Sequence, residues 1–197
     1  MSTKRLLDFS AACCGLILLF PLFFMIAILI KLDSRGSVFF RQKRVGLRFK
    51  PFSIFKFRTM VTDAEKRGAQ VSSGDDPRIT RVGRFLRKYK IDELPQLLNV
   101  VAGDMSLVGP RPEVPRYVEL FRKEYEEILQ VKPGITDFAS LEYKDENELL
   151  KGLPNPEETY LEEILPVKIV YYRKYIREQS LGTDLKLIFK TVAGIFR

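Results

Sequence analysis

Residues 11–30 read AACCGLILLFPLFFMIAILI, twenty positions that contain no charged side chain. About 20 apolar residues is the length that an α-helix needs to cross the hydrocarbon core of a bilayer. A buried helix of a soluble protein is usually shorter, and a cleaved signal peptide would end in small residues rather than run into Lys31. The run therefore predicts a membrane helix, and with it a membrane-associated fold.

Pro21 and the flanking charges indicate how this helix lies in the membrane. Pro21 is at the centre of the run, where it removes one helical hydrogen bond and clashes with the preceding turn. Basic residues mark the cytoplasmic side of a membrane helix, and they flank both ends of the run. They are Lys4, Arg5, Lys31, Arg35, Arg41, Lys43 and Arg44. We expect residues 1–32 to enter one leaflet, break at Pro21 and return; a single span stays open as the alternative, since spanning helices also contain prolines.

Charge and residue content limit the chemistry of the chain. Its 197 residues are enough for one domain with a real core and carry a net charge of +8. Residues 31–90 contain 17 Lys and Arg against 5 Asp and Glu, a block suited to lipid headgroups, nucleic acid or a phosphorylated substrate. The chain contains no histidine, which excludes histidine acid–base chemistry, Ser-His triads and histidine-ligated zinc. Carboxylates, Lys, Arg, hydroxyls or a metal must carry any reaction.

The remaining segments predict a mainly α fold with one small β-hairpin. SVFFRQ (37–42) and FSIFKFRTM (52–60) mix aromatic and β-branched residues with alternating charges, as hairpin strands do. Apolar side chains fall on one helical face in two further segments, residues 78–90 and 181–197. This pattern suits interfacial helices or ordinary helices packed on a core. Two more segments predict helices without indicating a functional site: 114–130 and 157–179.

The stretch most informative about chemistry is KIDELPQLLNVVAGDMSLVGPRPE, residues 90–113. Asp92 and Glu93 come just before Pro95 at a predicted helix start, where a carboxylate is often only a cap. A carboxylate there can also attack phosphorus, or ligate Mg²⁺ together with substrate phosphates. Arg111 lies between two prolines, and a guanidinium on a restricted backbone suits bidentate phosphate binding.

These motifs resemble those of the small monotopic phosphoglycosyl transferases, also called bacterial sugar transferases. The resemblance covers nearly the whole chain and is carried by KRLLDF before the proline-broken helix, FKFRTM (55–60), TRVGRFLRK (80–88), DELPQLLNVVAGDMSLVGPRPE (92–113) and KPGIT (132–136). Phe20 stands where the family often has Ser before the proline. Residues 137–150 also depart from the family pattern, so the sugar is not predicted.

The resemblance implies transfer of a phosphosugar from a UDP-sugar to undecaprenyl phosphate, with release of UMP through a covalent aspartyl-phosphosugar intermediate. It makes Asp92 the nucleophile and Glu93 its assistant in metal or proton handling, with Mg²⁺ bound by both. It also implies that Arg111 contacts phosphate. Basic residues of the matching motifs are further candidates for phosphate binding: Lys56, Arg58 and Arg87.

The resemblance further implies one phosphoglycosyl transferase domain over residues 1–197. Residues 1–32 would form the re-entrant helix, and residues 33–197 a compact catalytic part on the cytoplasmic face of the bacterial inner membrane. The implied role is the first membrane step of glycoconjugate assembly, with membrane lipid as a partner, no nucleic acid, and a homodimer left open.

Three rival hypotheses remain at this point. The basic block permits a membrane-tethered nucleic-acid-binding protein, although no recognition motif for nucleic acid is present. A non-catalytic membrane scaffold is the second rival. The third is a glycosyltransferase that moves a sugar without its phosphate, for which Asp75 and Asp76 could ligate a metal; their Gly- and Pro-containing loop favours a solvated turn instead.

Overall fold

The computed structural model describes residues 3–64 and 76–195, most of them helical. The helices are α1 (Thr3–Asp33), α2 (Arg81–Lys88), α3 (Gln96–Ala102), α4 (Pro115–Leu120), α5 (Arg122–Ile128), α6 (Phe138–Glu142), α7 (Glu146–Leu149), α8 (Pro156–Thr159), α9 (Leu165–Glu178) and α10 (Leu181–Ile195). The strands are β1 (Phe39–Val45), β2 (Pro51–Phe57), β3 (Ser106–Val108) and β4 (Gly134–Thr136). A 3₁₀ turn, Ile91–Glu93, precedes α3, and a π-helical segment, Tyr160–Ile164, joins α8 to α9. The predicted mainly α fold is confirmed.

Helix α1 contains the apolar run and continues through Pro21 as one helix. The expected break at Pro21 does not divide α1 into two separate helices. A proline removes one backbone hydrogen bond, and the helical turns on either side keep theirs. Among the described helices, α1 is the one long and apolar enough to cross a membrane. Its apolar side chains near the proline, Ile17, Leu18 and Phe20, are mostly exposed. Its re-entrant course through a bilayer stays a prediction.

The N-terminal part of α1 is bonded to the rest of the protein. Arg5 donates hydrogen bonds to the carbonyls of Val100 and Val101, at 2.5 and 3.0 Å. Asp8 is buried, and its Oδ2 accepts a hydrogen bond from the Ser106 hydroxyl at 2.8 Å. These contacts fix the first turns of α1 to α3 and β3.

The C-terminal part of α1 packs against the same body of the protein. Ile26 and Ile30 are buried with Phe57 of β2 and Leu86 of α2. Asp33, the last residue of α1, accepts a backbone hydrogen bond at 3.0 Å from the first turn of α2. Both ends of the apolar helix therefore contact the part of the chain that carries the polar sequence motifs.

The predicted hairpin is confirmed, with β1 and β2 antiparallel from the pair Phe39–Phe57 to the pair Val45–Pro51. Strands β3 and β4 form a second, parallel pair. A Cβ atom at Gly134 would lie 2.0 Å from the backbone nitrogen of Gly109, so glycine is required where these two segments meet. This close approach fixes the start of the GPRP segment.

The two predicted amphipathic helices are present as α2 and α10. Helix α2 buries Leu86 against α1 but leaves Phe85 exposed. Helix α10 buries Leu187, whereas Leu185 and Phe189 of the predicted apolar face remain 66% and 74% exposed. The interfacial placement of these helices stays a prediction.

Candidate active site

A cavity of about 1280 Å³ opens beside the 3₁₀ turn that carries Asp92 and Glu93. Its described walls come from the hairpin, α2, the GPRP segment and residues of α6, α7, α9 and α10. Twelve Lys and Arg side chains line it, against four carboxylates, among the described residues. Ligand pockets are commonly about 300–1000 Å³, so this cavity has room for an anionic ligand and a second molecule.

Asp92 places an unpaired carboxylate in this cavity. The residue is 7% exposed, and its side chain accepts no hydrogen bond from the described part of the chain. Helix α3 begins after Pro95 without a side-chain cap, so Asp92 does not serve as the helix cap that its position allowed. Burial raises the pKa of Asp92, while the positive charges of Lys56 and Arg87 oppose that rise. The group has the lone pairs and the position of a nucleophile.

Glu93 differs from Asp92 because two cationic side chains donate hydrogen bonds to its carboxylate. Lys56 donates to Oε1 at 2.9 Å, and Arg111 donates to Oε2 at 3.0 Å and to Oε1 through its other terminal nitrogen. Burial would raise the pKa of Glu93, but Arg111 and Lys56 outweigh burial and hold that pKa well below its ordinary value. Glu93 is therefore ionised, and it fixes two cations beside Asp92.

Arg111 is held from its backbone as well as from its side chain. Its backbone nitrogen donates to Asp137 Oδ2 at 3.3 Å, and Asp137 also caps α6 by accepting from the nitrogen of Ser140 at 2.6 Å. Asp137 is fully buried, and this burial raises its pKa. Sequence reasoning missed Asp137, although an Asp directly before a helix is a recognisable capping signal.

Two of the predicted phosphate-binding residues lie in different surroundings from Lys56. Arg87 interacts electrostatically with Asp92, and its Nε donates to the Thr59 hydroxyl at 2.9 Å. Arg58 instead donates to the backbone carbonyls of Ser34 and Arg35, at 2.9 and 2.5 Å, just beyond the end of α1. Since β2 ends before Arg58, the alternation of the strand no longer directs this side chain. Its binding to phosphate stays a prediction.

The structure thus brings together Asp92, Glu93, Lys56, Arg87 and Arg111, and the whole chain, residues 1–197, matches the family model described as bacterial sugar transferase. The chain belongs to this family. The resemblance predicted from the motifs is confirmed.

Several curated relatives of this bacterial sugar transferase cover almost all of its sequence. An undecaprenyl-phosphate glucose phosphotransferase of Komagataeibacter xylinus is 41% identical over 98% of this chain and 35% of that protein. A UDP-N-acetylgalactosamine-undecaprenyl-phosphate N-acetylgalactosaminephosphotransferase of Aeromonas hydrophila is 40% identical over 98% of this chain and 43% of that protein. A UDP-glucose:undecaprenyl-phosphate glucose-1-phosphate transferase of Caulobacter vibrioides is 42% identical over 98% of this chain and 69% of that protein. The chain spans less than half the length of the first two; two of the three names specify glucose and one specifies N-acetylgalactosamine.

The cavity lining of this bacterial sugar transferase also contains polar residues that sequence reasoning missed. Lys168 is 2% exposed, and its Nζ donates to Glu146 Oε2 at 2.7 Å and to the Tyr160 hydroxyl at 3.3 Å. Tyr160 in turn donates to Glu113 Oε1 at 2.7 Å. The sequence indicated no site in residues 157–179. A signal was present, because Lys168 lies on the same helical face as the buried residues of α9: Leu165, Ile169 and Tyr172.

The carboxylates beside the cavity fit the predicted Mg²⁺ only in part. Within the described residues there is no group of three or more Asp, Glu or Cys side chains that could hold a metal ion. Mg²⁺, however, usually takes one or two protein carboxylates and completes its shell with water and substrate phosphates. Asp92 has no hydrogen-bond partner among residues 3–64 and 76–195, and Glu93 accepts three hydrogen bonds for about four lone-pair positions. Asp76 pairs with Arg78 at 2.6 Å, and Asp75 lies outside the described residues.

Proposed function

We propose that this bacterial sugar transferase moves a phosphosugar from a UDP-sugar to undecaprenyl phosphate and releases UMP. The observation that carries the proposal is the buried carboxylate of Asp92, which lies in a cation-lined cavity and has no hydrogen-bond donor in the described part of the chain. The names of the relatives, which specify undecaprenyl phosphate with glucose or N-acetylgalactosamine, support this donor and acceptor. The product would begin glycoconjugate assembly at the membrane.

In the first step, an oxygen of Asp92 attacks the β-phosphorus of the UDP-sugar. The bond from that phosphorus to the bridging oxygen breaks, and the bridging oxygen leaves with UMP. The nucleophile must be ionised, and Lys56 and Arg87 favour its charged form although burial opposes it. Because Asp92 accepts no hydrogen bond from the described residues, its lone pairs are available for this attack.

Charge on the diphosphate is met by cations that Glu93 holds in place. Arg111 uses two of its five N–H donors on Glu93, which leaves the others for phosphate oxygens. Lys56 donates a hydrogen bond to the same carboxylate. Fixed cations near a transferring phosphoryl group stabilise its transition state. Mg²⁺ held by Asp92 and the remaining lone pair of Glu93 would supply further charge neutralisation.

In the second step, an oxygen of the polyprenyl phosphate attacks the phosphorus bound to Asp92. The bond from phosphorus to the Asp92 oxygen breaks, and the carboxylate is regenerated with a polyprenyl diphosphosugar as product. The attacking phosphate oxygen is already ionised near neutral pH, so this step needs no general base. A chain without histidine can therefore perform both steps.

The contacts of α1 support a monotopic enzyme whose catalytic part lies on one side of the membrane. A helix of 31 residues is about 46 Å long, and a straight span would place its two ends on opposite sides of a core of about 30 Å. Arg5 and Asp8 near one end, however, bond α3 and β3, and Asp33 at the other end bonds α2. The basic flanks favour the cytoplasmic side.

The decisive experiment follows the β-phosphate of the donor. Purified protein, Mg²⁺, undecaprenyl phosphate and UDP-sugar labelled on its β-phosphate are expected to yield labelled lipid and unlabelled UMP. Without lipid, the label is expected on a peptide containing Asp92. Asp92→Asn should retain no label, because an amide is a poor nucleophile at phosphorus. Asp145→Asn, at an exposed residue, serves as the control and should label normally. Release of the label in UDP would instead identify a glycosyltransferase.

A further inference from the structure

Helix α7 places one ionisable side chain, Glu146, on the wall of the cavity that contains Asp92. The side chain of Glu146 is 26% exposed. Its Oε2 accepts a hydrogen bond from Lys168 at 2.7 Å, while its Oε1 accepts none from the described residues. One oxygen of this carboxylate is therefore anchored, and the other can bind a ligand.

The anchor is rigid because Lys168 is itself buried. An ammonium group removed from water is costly unless it is paired, and here it is paired with Glu146 and with the hydroxyl of Tyr160. The Lys168 Nζ also lies 5.0 Å from the centre of the Tyr160 ring. A lysine held in this way cannot follow a moving partner, so it fixes the position of the carboxylate.

The charges around Glu146 determine which ligand groups it can bind. Burial would raise its pKa, but Lys168 and Arg111 outweigh burial and hold the pKa below its ordinary value. The ionised carboxylate accepts hydrogen bonds and cannot donate them. It repels phosphate oxygens but suits the hydroxyl groups of a sugar. Its charge also interacts with that of Arg111, which is bonded to Glu93 beside Asp92.

We propose that Glu146 recognises the sugar of the donor, with Oε1 accepting a hydrogen bond from a sugar hydroxyl and Lys168 holding the carboxylate in place. The inference rests on the proposed function, in which the sugar follows directly on the β-phosphate that Asp92 attacks. A bound donor would cover the partly exposed carboxylate, and a sugar without the matching hydroxyl would leave Oε1 without a partner there. Such a contact discriminates among sugars more strongly than apolar packing does.

Donor preference is the measurement that tests this role. Rates of UMP release are compared for UDP-glucose, UDP-galactose, UDP-N-acetylglucosamine and UDP-N-acetylgalactosamine. Glu146→Gln is expected to lower kcat/KM for the preferred donor by about 10- to 100-fold and to leave the values for the other donors nearly unchanged, so the preference falls by about the same factor. Glu148→Gln, in the same helix with a side chain that is 66% exposed, should leave all four values unchanged.

A second variant separates recognition from loss of the ion pair with Lys168. Glu146→Asp keeps a negative charge for Lys168 but withdraws the carboxylate by one methylene group, and it is also expected to lower the preference. Lys168→Met removes the anchor of the carboxylate and is also expected to lower the preference. If Glu146→Gln, Glu146→Asp and Lys168→Met all lower the four rates by one common factor, Glu146 only supports the wall and the proposal is wrong.

Binding without turnover keeps this proposal distinct from the proposed function. In an Asp92→Asn background, calorimetry gives dissociation constants for UDP and for the preferred UDP-sugar. Adding Glu146→Gln is expected to weaken binding of the UDP-sugar about tenfold or more while leaving binding of UDP unchanged. Equal weakening of both would overturn the role of Glu146. Release of UDP by the wild-type protein would instead overturn the proposed phosphosugar transfer, while the binding comparison would remain valid.

Discussion

Asp92 and Glu93 are adjacent in sequence, but their carboxylates lie in different electrostatic surroundings. Burial raises the pKa of Asp92, which has no hydrogen-bond donor among the described residues. Arg111 and Lys56 bond directly to Glu93 and hold its pKa well below the ordinary value. Neighbouring carboxylates with opposite pKa shifts can serve different roles. Here Asp92 is suited to attack phosphorus, and Glu93 to position cations.

The raised pKa of Asp92 predicts how the first step depends on pH. Because only the ionised form attacks, the rate of covalent labelling without lipid should fall as pH decreases. The midpoint of this fall should lie above the ordinary Asp pKa of about 3.9. Lys56 lowers the pKa of Asp92, so Lys56→Met should move this acidic limb to higher pH. The measurement is the labelling rate across pH 4–9.

Lys50→Met is the matched control for this pH profile. Lys50 is exposed in the turn of the same hairpin and does not line the cavity, so its removal should leave the limb in place. A limb that moved to lower pH in Lys56→Met would contradict the assignment of Lys56 as the cation that favours ionised Asp92.

At the scale of elements, Arg58 connects β2 to the end of α1. Its guanidinium donates to two carbonyls that follow α1 in the chain, and the residue is 5% exposed. Arg58→Gln should lower the free energy of unfolding by about 3–6 kcal/mol, the value of two charge-assisted hydrogen bonds at about 1.5–3 kcal/mol each. Arg58 also lines the cavity. If the two carbonyls hold its guanidinium, the KM for UDP-sugar should stay within about twofold of wild type, whereas the phosphate contact predicted from the motif would raise the KM.

Thermal unfolding in detergent and steady-state kinetics measure these two effects of Arg58→Gln. Arg81→Gln, at an exposed position of α2, is the control and should change neither quantity. A tenfold rise in KM without loss of stability would support direct phosphate binding by Arg58 and would contradict its structural role.

Close packing of Gly83 on the backbone of Thr59 positions helix α2 beside the candidate active site. A Cβ atom there would lie 2.1 Å from the carbonyl oxygen of Thr59, whose hydroxyl accepts a hydrogen bond from Arg87. Gly83→Ala should push α2 away and move Arg87 from Asp92. We expect a loss of about 1–3 kcal/mol in stability, as for overpacked cores, and a fall in UMP release.

A glycine without a close neighbour provides the comparison for Gly83. A Cβ atom at Gly182, in α10, would lie 3.9 Å from the hydroxyl oxygen of Ser180, an ordinary van der Waals contact, so Gly182→Ala should be neutral or stabilise the helix by about 0.5–1 kcal/mol. If Gly83→Ala were equally harmless, the packing of α2 would not be what positions Arg87.

At the scale of the whole molecule, contacts at both ends of α1 determine the expected topology. Reporters placed before residue 3 and after residue 195 should both be protected from a periplasmic reagent in intact cells. Pro21→Leu restores a backbone donor in the middle of the apolar run, so a fraction of the molecules should become spanning and expose the first reporter. Labelling of the first reporter in the wild-type chain would refute the monotopic topology.

Local sequence was sufficient for features that depend on neighbouring residues. The apolar run predicts α1 because length and the absence of charge suffice for a membrane helix. The alternation in residues 37–42 and 52–60 predicts the hairpin, and the Asp92–Glu93 pair and Arg111 were found from their motifs. The sequence did not predict that Arg58 and Lys56 have different partners, because the end of β2 depends on strand pairing that local composition does not specify.

Contacts between distant segments supply the rest of the site. Glu93 accepts hydrogen bonds from both Lys56 and Arg111, although these residues lie 37 and 18 positions from it in sequence. Lys168 reaches Glu146 across 22 residues, and Asp137 reaches Arg111 across 26. Burial and charge pairing set the pKa of each of the two carboxylates, and both depend on which segments pack together. The motifs therefore predict which residues react. Long-range packing leaves Asp92 without a hydrogen-bond partner among the described residues, pairs Glu93 with two cations and places Glu146 in the lining of the same cavity.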